Sequence, residues 1–318
     1  MSNQPPIEQL DQAITGMLSG SEATPSSADP WVIELLGVAR DLRQLPSPDF
    51  KASLKADLER KKIMKANIVQ SAAPVRRGFR TITPYLVLPR GSEYIDFLKN
   101  VFGAEETLRH ETGSGRAHVE LRIGDSMVMV GTGAERRVPA GLTLYVPNVD
   151  EVYERAVAAG CKALQPVEDA HWEPIRLGTL QDPEGNGWSI CSYRGGGYIP
   201  EGRHSLSTGF CVSGAPRLLD FMKQAFDATE VQRWEWPGGM YAWMQIGDSF
   251  VGVAEAGNHE WMPPVSVMVL MYVPDADAVY HQALRAGATS LQEPANQSYG
   301  RSGGVVDAWG NQWYMATP

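Results

Sequence analysis

His118, Glu120 and Arg122 alternate along one stretch of chain, with Val119, Leu121 and Ile123 between them. In an extended strand, side chains two apart share a face, so the polar three stand together while the apolar three turn to a core. An imidazole beside a carboxylate can ligate a divalent metal ion or act as an acid–base pair. The same spacing also suits a partly solvated strand face with an ion-pair row that includes Arg122. The residues alone leave both readings open. A second set is aromatic. Trp234, Trp236, Trp243, Trp261, Trp309 and Trp313 are six of the nine tryptophans, joined by Tyr241, Tyr272, Tyr299 and Tyr314. Tyr241, Trp243 and Gln245 again alternate. Flat rings bury large areas, and a π-face can hold an aromatic or cationic molecule. Such residues serve either an aromatic-lined pocket or plain core and interface packing. Trp313, between Gln312 and Tyr314, reads as core. His171 and Trp172 fall in a loop, where binding residues often gather and where a packed loop is the plainer alternative.

Other chemistries leave no mark. The sequence has no G-x-S-x-G elbow, no Walker loop and no H-E-x-x-H. Gly195-Gly196-Gly197 lacks the flanking strand and helix of a phosphate cradle and reads as a hinge. Cys161, Cys191 and Cys211 are odd in number and form no C-x-x-C pair, which favours a reducing, cytoplasmic setting. A net charge of −9 and a pI of about 5.2 argue against a nucleic-acid or anionic-membrane surface. The start, Met1 to Gln9, is polar, and no apolar run approaches the ~18 residues of a membrane span. The densest basic cluster, Arg60, Lys61, Lys62 and Lys65, sits at an expected helix end, where water can solvate it.

The elements that position these residues come in duplicate. Asp182-Pro183-Glu184-Gly185-Asn186-Gly187-Trp188 is answered by Asp307-Ala308-Trp309-Gly310-Asn311-Gln312-Trp313. Ile123-Gly124-Asp125-Ser126 is answered by Ile246-Gly247-Asp248-Ser249, and Tyr145-Val146-Pro147 by Tyr272-Val273-Pro274. Asp96-Phe97 with Phe102 is answered by Asp220-Phe221 with Phe226. The order is kept and the offset drifts only from 123 to 127 residues, so 82–194 and 206–316 are two copies of one unit. A length of 318 residues suits two domains, each large enough for its own core.

Each copy splits into two halves of like pattern: strand, helix, then strands. In copy one, a strand is expected at 82–88, a helix at 93–102 ended by Gly103, and strands at 106–110, 116–123 and 126–130. The second half begins with a strand at 142–146, then a helix ended by Gly160 and strands at 175–181 and 188–193. Copy two follows suit, with helices at 216–226 and 276–286. Residues 1–65 read as short helices: Ile7, Leu10, Ile14 and Met17 lie at helical spacing, and Asp29-Pro30 and Ser47-Pro48 are start signals. Gly20 to Ser27 breaks them. Helices this short must dock on the repeats, on each other or on a protein partner. The L-x-x-L-P-x-P-x-F pattern at Leu42 to Phe50 faintly resembles leaders of bacterial regulatory proteins. Residues 66–80, with Ala72, Ala73 and Pro74, read as a linker.

Thr83-Pro84-Tyr85-Leu86, Phe102-Gly103-Ala104, the run His118 to Ser126 and the D-P-x-G-N-x-W turn together resemble the vicinal oxygen chelate superfamily, the glyoxalase/bleomycin-resistance/dioxygenase fold. They look most like its bleomycin-resistance and phosphonate-operon glyoxalase-like members. The resemblance implies an α+β fold of four βαβββ modules in two tandem glyoxalase-like domains, 81–195 and 204–318, after the helical segment 1–65 and linker 66–80. It implies a cavity enclosed by paired modules in each copy. Metal-dependent members bind a divalent ion through His or Gln and Glu. At the corresponding positions stand Thr83, Met127 or Met129, Gly141 and Ser189 in copy one, and Ser207 or Thr208, Met268 and Tyr314 in copy two. None is a carboxylate or imidazole, so no metal or other cofactor is expected there, and a divalent ion is expected only as the alternative, at a displaced site using His118 and Glu120. The expected role is then binding or sequestering of a small, partly aromatic molecule. The alternative is a metal-dependent lyase, isomerase or dioxygenase. The candidate ligand-binding residues are Tyr145, His171, Trp172, Tyr241, Trp243, Gln245, Tyr272, Tyr299 and Tyr314.

Overall fold

The computed structural model describes Thr15 and residues 75–318, other than 90, 114 and 258–263. The helices expected in 1–65, the basic cluster at 60–65, the first part of the linker and Trp261 lie outside the described residues. The chain divides into two units, Met1–Gln70 and Ser71–Pro318. Among the described residues the second unit holds four modules. The first is β1 (Ile82–Leu88), α1 (Ser92–Phe102), β2 (Glu105–Gly113), β3 (Arg116–Ile123) and β4 (Ser126–Thr132). The second is β5 (Gly141–Tyr145), α2 (Val149–Ala158), β6 (Lys162–Asp169), β7 (Ile175–Gln181) and β8 (Gly187–Tyr193). The third is β9 (Leu206–Val212), α3 (Ala215–Phe226), β10 (Thr229–Trp236), β11 (Gly239–Ile246) and β12 (Ser249–Glu255). The fourth is β13 (Met268–Tyr272), α4 (Ala276–Arg285), β14 (Thr289–Gln297), β15 (Gly300–Val306) and β16 (Gln312–Thr317). No helix among the described residues is long and apolar enough to cross a membrane.

Each helix carries a local reason to begin or end. Asn148 and Asp275 cap α2 and α4 by accepting from the backbone N–H three residues on. Gly103 ends α1 in the left-handed region at φ 67°. The helix-side cores follow the sequence repeat. Leu86, Val119, Leu121, Leu144, Trp188 and Ile190 pack with α1 and α2, while Phe210, Val251, Val253, Trp313 and Met315 pack with α3 and α4.

The sheets do not follow the repeat. One eight-stranded sheet runs β14-β15-β16-β13-β1-β4-β3-β2 and the other β10-β11-β12-β9-β5-β8-β7-β6. The first module thus shares a sheet with the fourth, and the second with the third. The joints are the antiparallel pairs β1–β13 (Thr83 opposite Leu270) and β5–β9 (Thr143 opposite Ser207). This corrects the expectation of a cavity enclosed within each copy: each sheet takes half its strands from either copy.

The repeated Gly-Asp-Ser turn is the clasp at those joints. Asp125 Oδ1 accepts from the Ser205 N–H at 2.8 Å, and Ser126 Oγ from that of Leu206 at 3.1 Å. In mirror fashion Asp248 Oδ1 accepts from Thr81 N–H and Ser249 Oγ from Ile82 N–H, both at 2.8 Å. A Cβ on Gly124 would lie 2.2 Å from Ser205 Oγ, and one on Gly247 2.3 Å from Thr81 Oγ1, so both turns need glycine. His204 Nδ1 lies 3.0 Å from Asp125 Oδ2, and Arg80 reaches Asp125 and Asp248 at 3.6 and 3.7 Å. Burial works against ionising Asp125. The Ser205 amide, the Ser126 hydroxyl and His204 outweigh it and hold the carboxyl at about 2. A folded-state pKa below the unfolded value of roughly 4 gives stability that is present above that value and lost as pH falls toward 2. Asp125→Asn is expected to be less stable at neutral pH and to show a flatter loss of stability between about pH 4 and 2. Urea midpoints across that range check it, and a slope equal to that of the parent would contradict it.

Candidate functional site

The two sheets carry related but unlike cavities. In the second, β11 alternates as the sequence implies: Ala242, Met244 and Ile246 join the helix-side core, and Tyr241 and Trp243 face inward. A bulge between Glu230 and Gln232 resets β10 and brings Trp234 opposite Tyr241, with Trp236 opposite Gly239. The Trp236 indole packs on the bare backbone of Gly239, lying 2.3 Å from where a Cβ would stand. Tyr241 meets Trp243 edge-on at 5.4 Å and Trp234 at 6.0 Å. From copy one come Tyr145 on β5, Ile175 and Leu177 on β7, and Trp172 and Glu173 from the loop before β7. Together they wall a cavity of about 510 Å³. Trp172, 52% exposed, stands at its rim.

Arg203, from the segment before β9, lies across one wall. Its guanidinium sits 4.1 Å from the Trp243 ring centroid, donates to Tyr145 Oη at 3.1 Å and pairs with Glu173 at 3.3 Å. Burial pushes Glu173 up despite Arg203, and burial also pushes the Tyr145 and Tyr241 phenols well up. Both phenols therefore stay protonated at neutral pH. The three cysteines are buried, no disulfide joins them, and burial lifts their thiols to about 12. Thiols in that state are poor nucleophiles and poor metal ligands.

The first cavity is occupied by the chain itself. Val75 and Phe79, part of the expected linker, pack against Met127, Met129, Tyr272 and Ala316. Arg76 donates to both carboxylate oxygens of Glu120, at 2.6 and 2.8 Å. Glu120 is 2% exposed. His118 Nε2 stands 3.3 Å from it, and His118 Nδ1 3.0 Å from Tyr85 Oη. Burial opposes ionisation of Glu120, but His118 and then Arg76 outweigh it and keep the carboxyl below its usual range. His118 and Glu120 do meet, yet a guanidinium holds the carboxylate. Arg122 is not in their row; it pairs with Glu105.

One of the differences between the cavities is the exchange of a carboxylate for an indole. Glu120 and Trp243 occupy equivalent positions in the repeat. In both cavities an arginine from the segment before the first strand of a copy lies beside the tyrosine of a second-half strand: Arg76 by Tyr272, and Arg203 bonded to Tyr145. Arg76 meets the carboxylate of Glu120 itself, whereas Arg203 lies on the Trp243 face and takes its carboxylate from Glu173.

The remaining candidates divide accordingly. Tyr145, Trp172, Tyr241 and Trp243 come together in the second cavity. Tyr272 and Tyr314 stand on strands of the first sheet and Tyr299 in its β14–β15 turn; Tyr272 is buried against Phe79 at 5.7 Å, and Tyr299 is exposed. Gln245 turns back to donate to the Gly247 carbonyl at 3.1 Å, and His171 is exposed outside the cavity wall. Sequence reasoning missed Arg76, Arg203 and Glu173. The only signal for the arginines was their place a few residues before each copy's first strand.

The positions where metal-dependent relatives keep their ligands are re-sorted by the sheets. Thr83, Met127, Met129, Met268 and Tyr314 belong to the first, and Gly141, Ser189, Ser207 and Thr208 to the second. Neither set offers a carboxylate or imidazole, and no three His, Cys, Asp or Glu side chains converge among the described residues. These residues do not fit a divalent ion at that place.

A family model described as a glyoxalase-like domain matches residues 89–191. A Mycobacterium bovis protein, named only as uncharacterized, is 32% identical over 126 residues, covering 36% of this chain and 83% of its own. A Mycobacterium tuberculosis protein, likewise named uncharacterized, is 32% identical over 126 residues and 74% covered. Glyoxalase I from Zea mays aligns with a TM-score of 0.59 at 12% identity, over 74% of this chain and 92% of its own. A putative dioxygenase from Bacillus subtilis aligns at 0.50 and 10% identity, over 74% and 84%. At these identities the structural likeness is one of fold.

Proposed function

Because the chain belongs to the glyoxalase/bleomycin resistance/dioxygenase (vicinal oxygen chelate) superfamily, we propose that it binds and sequesters a small, partly aromatic molecule in its second cavity, with no metal ion taking part. The observation that carries this reading is the cavity of about 510 Å³ walled by Trp172, Trp234, Trp236, Tyr241, Trp243 and Tyr145. Concave, largely apolar walls with a few placed polar groups are what small-molecule sites require. The indole and phenol faces supply stacking area, and Glu173, held by Arg203 from behind the wall, supplies fixed polarity at one side. The absence of carboxylate and imidazole ligands at the family's metal positions supports binding over metal-assisted chemistry. In the first cavity Arg76 holds the one buried carboxylate that a displaced ion needs.

Titrating the protein with a panel of aromatic ligands, after treatment with a chelator, tests the reading. Saturable quenching of tryptophan emission is expected, with calorimetric binding whose heat-capacity change is negative, as apolar burial requires. Flat responses across the panel, or binding that returns only with added divalent metal, overturn it.

A further inference from the structure

A chamber of about 390 Å³ opens beside the aromatic cavity in the same sheet, and the two share four wall residues: Thr143, Thr179, Ser189 and Tyr241. Strand periodicity explains the sharing. Along β5, Gly141 faces the far chamber, Tyr145 the aromatic one, and Thr143 both. Along β7 the order is Gln181, Thr179, Leu177, and along β8 it is Gly187, Ser189, Cys191. The two spaces follow one another along the strands and adjoin at a hydroxyl-bearing waist made by the shared residues. From Gly141 to Tyr145 the pair spans on the order of 13 Å at the rise of a strand.

The waist carries an independent mark. Thr179 is 3% exposed, and its Oγ1, closed off as the side chain stands, has no hydrogen-bond partner. Buried hydroxyls are normally bonded, and an exception calls for a reason. Beyond the waist, Gly187 and Gly209 give the far chamber a floor bare of side chains, where a Cβ would meet nothing closer than 3.7 Å. Over Gly252 stands the Tyr241 hydroxyl, where a Cβ would come within 2.3 Å.

We propose that the waist and far chamber extend the aromatic cavity into one elongated site, whose ligand has two flat apolar ends joined by a hydrogen-bonding link of the amide type, received by the Thr179 hydroxyl. The inference rests on the reading of the aromatic cavity as a binding site. One flat end lies among the tryptophans and the other on the glycine floor. A turn about χ1 brings the Thr179 hydroxyl into the waist, where it donates to the link's carbonyl oxygen, and the Tyr241 phenol is a second donor within the same waist.

The probes are N-benzylbenzamide and its halves, benzamide and toluene, titrated into the full chain by calorimetry. N-benzylbenzamide is expected to bind roughly tenfold or more tighter than either half. Thr179→Val keeps the shape, removes the hydroxyl, and should abolish most of that advantage while leaving toluene unaffected. Gly209→Leu fills the far chamber from a position where a Cβ has room, its nearest neighbour being Gly141 at 3.7 Å. It should abolish the advantage without weakening the single-ring probes. Equal affinity for the two-ring probe and its halves, or an advantage that survives both substitutions, overturns the elongated site while the aromatic cavity stands. No binding by any of the three probes overturns both.

Discussion

Asp182→Ala is expected to cost about 4 kcal/mol of folding stability, a large share of what a domain has. The Asp182 carboxylate is buried and serves five donors. Oδ1 accepts from the Glu184 and Asn186 amides, both at 2.9 Å. Oδ2 accepts from Tyr94 Oη at 2.7 Å and from Asn186 Nδ2 and Trp188 Nε1, each at 2.9 Å. Truncation leaves the phenol, the Asn186 side-chain amide, the indole N–H and two backbone amides without their acceptor, each buried loss being worth about 1–3 kcal/mol and the set much less than additive. Asp182→Asn preserves size but places an NH₂ among donors, so it should recover little. The second copy supplies a control. Asp307 holds the same turn with Trp309, Asn311 and Trp313, but Leu218 stands where Tyr94 stands, so it has one donor fewer. Asp307→Ala should therefore cost less than Asp182→Ala. Urea unfolding followed by circular dichroism measures both. A loss under about 1 kcal/mol for Asp182→Ala, or the reverse order, would refute this account.

Trp243→Ala should strike binding hardest. The indole is 3% exposed, lines the aromatic cavity, and takes the Arg203 guanidinium on its face at 4.1 Å. Its removal takes away a stacking surface and frees Arg203 to shift within its bonds to Tyr145 and Glu173. A ring contact is worth about 1 kcal/mol beyond its burial, so affinity for an aromatic ligand should fall by roughly tenfold or more. Truncating a core tryptophan also costs about 3 kcal/mol or more of stability, so binding is to be measured where the variant is fully folded. Trp243→Phe keeps a ring for both guanidinium and ligand and should bind within a few-fold of the parent. Parent-like affinity in Trp243→Ala would remove this indole from the site.

What the sequence made legible was local. The helices expected at 93–102 and 216–226 appear as Ser92–Phe102 and Ala215–Phe226, because apolar stripes and end signals sit within a few residues of each other. The β6 strand was not anticipated: Lys162 to Asp169 is an edge strand with little burial and a proline at 166, so it shows no alternation. The crosswise sheets were hidden for another reason. Periodicity tells which face of β1 is buried, but nothing in it points to a partner as distant as Met271 for Ile82. The site shows the same divide. Tyr241 and Trp243 are read from alternation, whereas the β10 bulge breaks the parity that places Trp234 and Trp236. Arg76 lay concealed in linker-like composition, its partner Glu120 far along the chain.

In an assembly of two identical subunits related by a two-fold axis, any substitution appears in both sites at once. Here both halves of each sheet are encoded in a single continuous chain, so Glu120 and Trp243 are inherited independently. One pocket was therefore free to become sealed by a salt link while its twin turned aromatic, a divergence closed to a symmetric pair.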